Sequence, residues 1–321
     1  MRRCAEKGRE RFDELMKFLK RAAAMLTACA LTAGLLSGCG TERIDPATIE
    51  YIQFEQPEEG QDIAILDTTM GEITILLYTD EVPELVQNFK DLAEQGFYDG
   101  QVIFHVQPSL GIVAAGSSTP DGNGGDSNTG KPIRAEYSNN LWPFTGSVSM
   151  ICYEAGALWN KDYYCDSRFF FLGETEVTQD VVDEMTQYNF PAMMKNAFVD
   201  YGGVPQFGRY HSVFGKIIDG MEVVEAILGL ELTYESVDPT DPEVSGTQEQ
   251  LNNNRPVEDV VINSVTLSTF HAEDYPELDN TPTQEELDDL IFRSAQEQAE
   301  IDAALTGEPV SEVSASSEAS E

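Results

Sequence analysis

Gly96-Phe97-Tyr98-Asp99-Gly100, running on through Phe104-His105 to Ala115-Gly116, reads as turn, strand, turn, strand. The segment just upstream reads as a helix. Pro83 suits its first turn, and Leu85, Phe89 and Leu92 recur at helical spacing. Gly96 is placed to stop it. Further upstream, Ile63-Ala64-Ile65-Leu66 and Glu72 to Leu77 are strand-like runs joined by a turn at Thr69-Met70-Gly71. Downstream, residues 117–132 are rich in Gly, Ser, Asn and Asp and read as a surface loop. Two later pieces belong with the opening stretch, Ser167-Arg168-Phe169-Phe170-Phe171 and Val213-Phe214-Gly215-Lys216. The chain is therefore mainly β with a few helices.

These pieces resemble the cyclophilin family of peptidyl-prolyl isomerases. The family shares the helix carrying Pro, Asn-Phe and Leu, here Pro83, Asn88-Phe89 and Leu92, followed by the same Gly-Phe-Tyr-Asp-Gly. Ser167 to Phe171 is similar to the family's Ser-Gln-Phe-Phe-Ile, and Val213 to Val224 to its closing strand, turn and helix. The resemblance covers about 62–270 and implies a closed antiparallel β-barrel with capping helices. Residues 173–205 stand out as an insertion, helical over Val177 to Met185 and broken by Pro191, Gly202-Gly203 and Pro205.

The resemblance also implies a chemistry. Rotation about a peptide bond meets a barrier of roughly 18–20 kcal/mol set by amide resonance. A catalyst holds the proline ring in an apolar pocket and stabilises the twisted amide with a hydrogen-bond donor, which requires no nucleophile, metal or cofactor. The family's donor is an arginine in Phe-His-Arg-Val-Ile-Pro-Gly-Phe-Met-Ile-Gln-Gly-Gly-Asp. An ungapped reading puts Val106 at that arginine and Ile112 at a pocket methionine; moving Pro108 onto the family proline needs a one-residue gap. Neither alignment supplies an arginine. Phe170 takes the place of the aromatic at the pocket base, Ile151 a small wall position and Phe207 a pocket leucine. Ile112, Phe170 and Phe207 read either as pocket walls or as ordinary barrel core. His211 reads as pocket edge or as a structural histidine, and His105 as structural. Arg168 replaces a site-lining glutamine and is the candidate donor; its other reading is a salt-bridged surface arginine in an acidic protein.

The N-terminus reads as an export signal. Lys17, Lys20 and Arg21 precede an apolar run from Ala22 to Leu36, which ends in Leu36-Ser37-Gly38-Cys39. Small residues before a cysteine resemble the lipobox of bacterial lipoproteins, which implies cleavage before Cys39, lipid on its thiol and a membrane-anchored, extracytoplasmic protein. Met16 starts a signal of ordinary length. Residues 40–61, with Pro46, Pro57 and several acids, read as a tether. After cleavage Cys152 and Cys165 remain, either bridged, as an extracytoplasmic setting permits, or as two thiols. Two cysteines and three scattered histidines make no metal-site pattern.

The formal net charge is −38. Such a surface repels nucleic-acid phosphates, so a nucleic-acid partner is excluded as a reading. After His271 comes an acidic tail. In that tail, Thr283 and Glu286 have capping-box spacing ahead of Leu287, Leu290 and Ile291, which predicts a helix over 283–305; residues 306–321 read as disordered. Three functions fit. The first is an anchored isomerase acting on proline-containing segments of exported proteins. The second is a non-catalytic proline-binding or chaperone module on the same scaffold. The third is a structural domain whose insertion and tail are the working surfaces.

Overall fold

A computed structural model describes residues 49–157, 160–233, 254–276, 278 and 281–306. The signal at 1–39 with Cys39, the first part of the tether and the end of the tail lie outside the described residues.

Strands β1 (Asp62–Thr68) and β2 (Gly71–Leu77) form a tight hairpin. Thr68 Oγ1 donates to the Gly71 carbonyl, and Gly71 holds a positive φ of 137° against the side chain of Val223. Helix α1 (Pro83–Glu94) buries Leu85, Val86, Phe89, Leu92 and Ala93, the stripe expected from the sequence. It ends as its glycine dictates: Gly96 (φ 67°) bonds back to Ala93 O and Phe97 to Leu92 O, a Schellman motif. Tyr98 follows into the core. Its ring meets Phe89 at 5.2 Å and Phe169 at 5.7 Å, and its hydroxyl donates to Ser167 O. The Gly-Phe-Tyr-Asp-Gly stretch thus nails the helix to the later strand.

Strands β3 (His105–Gln107), β4 (Ile112–Ala115), β5 (Ile133–Arg134), β6 (Ser147–Ala157), β7 (Asn160–Leu172), β8 (Ser212–Asp219) and β9 (Ile262–Thr269) complete one sheet, every strand pair antiparallel. Its order is β3-β4-β7-β6-β8-β2-β1-β9, with β5 on the side of β7. The sheet curls until its two ends approach. There Val102 bridges Val261, and the amides of Gly100, Ile103 and Val106 donate to the carbonyls of Ile262, Val260 and Asn254. This closure is irregular backbone rather than a strand ladder, so the expected closed barrel is a curled half-barrel. Its concave side holds the core around Phe89, Tyr98, Phe169, Phe171 and Phe214. Helix α4 (Met221–Leu228) packs on β2, and its Val223, Val224 and Ile227 join that core.

Cys152 and Cys165 sit directly opposite each other in the β6–β7 ladder and are joined as a disulfide, with Cα atoms 4.3 Å apart. The segment after β7 holds α2 (Gln179–Gln187) and α3 (Ala192–Tyr201). Against α3 lies α5 (Gln284–Thr306), started by a reciprocal capping box between Thr283 and Glu286. Lys195 pairs with Glu297, Asn196 Nδ2 donates to Ser294 and Glu297, and Arg293 pairs with Asp200. Insertion and acidic tail therefore form one unit on the flank of the half-barrel.

Candidate active site

The outer face of the half-barrel carries a second, smaller apolar cluster. Phe170 of β7 is its base, 2% exposed, and lies between Ala114 of β4 and Ser149 of β6 in the ladder. Successive residues of a strand point to opposite faces. Phe169 and Phe171 therefore go inward to the core, while Phe170, and Arg168 two residues away, face outward. Ile112 pairs with Leu172 one step along the same face. Ile151 joins from the bulge where the β6–β7 register shifts between Met150 and Cys152.

Phe207 arrives in a short 3-10 turn over Pro205–Phe207, and His211 just after it. Their rings and that of Phe170 form a triangle, with centroids at 5.8 Å (Phe170 to Phe207), 5.2 Å (Phe170 to His211) and 5.3 Å (Phe207 to His211), each pair edge-on. His211 Nδ1 accepts the amide of Cys152 at 3.2 Å, so a neutral ring carries its proton on Nε2. Burial pushes its pKa down to about 4, which keeps the ring neutral. The structure thus gathers Ile112, Ile151, Phe170, Phe207 and His211 into one place.

Four further residues share this cluster without having stood out in the sequence: Phe104, Ala114, Leu172 and Val204. Val204 comes from the end of the insertion. Helical and strand periodicity tell which residues alternate, but not which side of a curled sheet becomes the core.

Val106 does not face the outer cluster. Val106 is fully buried, lies opposite Val113 and belongs to the barrel core. Ile103 is also core, so Phe104 and His105 between them form an outward pair. His105 is the residue opposite Ala114, in the row that continues to Phe170. The turn between β3 and β4 closes at Gly111, whose φ of 66° places it in the left-handed region. His105, not Val106, is therefore the β3 residue on the face of the outer cluster. Its pKa is lowered by burial, and its Nδ1 is buried without a partner.

Arg168 is held on both sides. Its Nε and Nη2 donate to the two carboxylate oxygens of Asp166 at 3.0 and 2.7 Å, and its Nη1 to Gly122 O at 2.9 Å. This fork-to-fork geometry fixes the guanidinium plane and ties the 117–132 loop to β7. Three of its five N–H groups are used.

Comparisons with known proteins bear on the family. A family model for cyclophilin type peptidyl-prolyl cis-trans isomerase matches residues 63–267. A Staphylococcus aureus (strain COL) protein named as a peptidyl-prolyl cis-trans isomerase is 29% identical over 211 residues, which cover 66% of this chain and 94% of that protein. A Staphylococcus saprophyticus protein named likewise is 32% identical over 178 residues, 55% of this chain and 86% of that one. Among solved structures, a cyclophilin type peptidyl-prolyl cis-trans isomerase of Cryptosporidium parvum aligns with a TM-score of 0.45 and 20% identity, covering 66% of this chain and 99% of that one. The matched span runs from β1 into β9 and encloses every residue of the outer cluster; on that ground the chain belongs to the cyclophilin-type peptidyl-prolyl cis-trans isomerase family.

Proposed function

We propose that this protein isomerises X-Pro bonds in exported polypeptides, from a lipid anchor on the extracytoplasmic side of a membrane. In this reading Ile112, Ile151, Phe170, Phe207 and His211 hold the proline ring, and Arg168 is the donor. The observation that carries it is the ring triangle of Phe170, Phe207 and His211, which is apolar, rigid and on the outside of the half-barrel. An apolar seat desolvates the proline ring and favours the twisted amide, whose charge separation is smaller than that of the planar one. A donor fixed in advance stabilises the twisted state more than the planar state, and so raises the rate rather than the affinity alone. Arg168 stands on the same face as Phe170 and keeps two N–H groups beyond those given to Asp166 and Gly122. Because Asp166 already balances its charge, catalysis is weaker than with an unpaired guanidinium.

Phe170→Ala tests the pocket. Truncating a buried phenylalanine costs about 3–5 kcal/mol of packing, so the folded fraction is checked by circular dichroism at low temperature. The folded variant is expected to lose measurable binding of a short X-Pro peptide in an NMR titration. Unchanged binding would remove this cluster as the substrate seat.

The anchor has its own test. Cys39→Ser is expected to abolish acyl labelling and to move the protein from the membrane to the soluble fraction, since a diacyl anchor holds stably where a single chain is marginal. A variant that stays lipid-labelled and membrane-bound would reject the anchor. A second reading, a binding module that does not catalyse, is favoured by one observation: the residue of β3 that faces outward is His105 rather than an arginine, and the Arg168 guanidinium is already ion-paired.

A further inference from the structure

A cleft of about 820 Å³ opens where the half-barrel, the insertion and the start of α5 meet. That volume is in the range of small-molecule sites. It shares no residue with the outer apolar cluster. Lys216 of β8 lies in its wall, 4% exposed. Its ammonium donates to Gln53 O at 2.6 Å and to Thr281 Oγ1 at 3.1 Å, both uncharged acceptors. An ammonium has three donors, so one remains. Among the described residues no carboxylate forms an ion pair with it, and burial pushes its pKa down to about 7. A buried cation without an anion is costly and rare.

A second polar group is also left over. Thr145 lines the same cleft, and its Oγ1 is buried with no partner. Ser147, directly opposite Lys216 in the β6–β8 ladder, has an equally unpartnered Oγ beneath it. Buried hydroxyls without partners are exceptions in folded proteins and call for an explanation. Beside them the wall is aromatic: Phe54 meets Phe144 and Tyr201 at 4.9 Å each. The cleft is also lined by carboxylates. Asp200 is taken up by Arg293 and Glu286 by the α5 cap, which leaves the side chains of Glu174 and Glu176 at the cleft wall.

We propose that this cleft is a second binding site, which takes a single carboxylate attached to an apolar residue, as in a peptide C-terminus or a free amino acid. The third donor of Lys216 and the Thr145 hydroxyl receive the carboxylate, and Phe54, Phe144 and Tyr201 receive the side chain. Glu174 and Glu176 repel multiply charged anions such as phosphates, and attract an amine where the ligand has one. The site exists only because insertion and tail meet the half-barrel. It is independent of the isomerase reading.

The test uses the full-length protein and three probes: acetyl-Ala-Phe with a free carboxylate, its C-terminal amide, and free phenylalanine. Calorimetry on the parent is expected to show saturable binding of the acid and at least about tenfold weaker binding of the amide, the worth of one charge-assisted hydrogen bond. Lys216→Met is expected to lose at least about tenfold for the acid, and Thr145→Val several-fold, with X-Pro isomerisation unchanged in both. Free phenylalanine binding as tightly as the acid supports the site with an amino acid as its ligand; binding of the acid alone supports it with a peptide C-terminus. Absence of saturation by both carboxylates, equal binding of acid and amide, or parent-like binding by Thr145→Val would overturn the proposal and leave Lys216 as a staple between residues 53 and 281. Should Lys216→Met fail to fold, the acid-to-amide ratio and Thr145→Val decide it.

Discussion

Val106→Arg is expected to unfold the protein, and His105→Arg to leave it folded. On a straight alignment Val106→Arg looks like the restoration of a lost catalytic residue. The structure makes it the insertion of a guanidinium into the barrel core, where Val106 is 0% exposed and faces Val113. An uncompensated buried charge costs about 3–5 kcal/mol, to which overpacking adds about 1–3 kcal/mol. That approaches the whole stability of a domain, on the order of 5–15 kcal/mol. His105→Arg places the same group in the outward pair with Phe104, opposite Ala114 in the row that leads to Phe170. It also removes the unpartnered Nδ1. Thermal unfolding followed by circular dichroism decides stability, and a peptide isomerisation assay decides activity. His105→Arg is expected to match or exceed the parent rate. A folded, more active Val106→Arg variant would mean that β3 is set in the other register.

Arg168→Ala is expected to lower kcat/KM for X-Pro isomerisation by about 100-fold or more, the usual cost of about 2.7–4 kcal/mol for one preorganised donor. The guanidinium qualifies as preorganised because Asp166 grips it at two points and the Gly122 carbonyl at a third. The same contacts give Arg168 a structural job in holding the loop, so loss of activity alone does not separate the roles. The split between steps does. A transition-state donor lowers kcat and leaves peptide affinity nearly as it was; a loosened loop raises KM as well. Asp166→Asn supplies the complement. It keeps a hydrogen-bond acceptor beside the guanidinium but removes the charge that balances it, and is expected to retain or raise kcat. If Arg168→Ala isomerises at the parent rate, the donor is elsewhere, and His105, the Ser149 hydroxyl and the Nε2 of His211 are polar groups on that face.

What was legible in the sequence was whatever short-range chemistry specifies. Gly96 ends α1 because a residue at ease with positive φ closes the Schellman motif. The strands at Ser167 to Phe171 and Val213 to Lys216 have dense apolar runs and were found where they lie. The stretch from Phe104 to Ile112 resisted for a physical reason. A slip of one residue sends every side chain to the opposite face, and the turn that sets the register of β3 against β4 is marked only by one glycine, Gly111, among the 25 of the chain. The pairing of Cys152 with Cys165 stayed open until the β6–β7 register put them opposite each other. Val204 and the Lys216 cleft were out of reach, since both depend on segments far apart in the chain meeting on the flank of the half-barrel.

The most direct test of the account is a proline-isomerisation assay on residues 40–321 with a short X-Pro peptide, run beside Arg168→Ala. The account predicts a clear catalysed rate in the parent that falls by about 100-fold in the variant while peptide binding persists. A parent that binds the peptide by NMR titration yet leaves its isomerisation at the uncatalysed rate would contradict it, and would make the outer pocket a proline-binding surface on an enzyme scaffold.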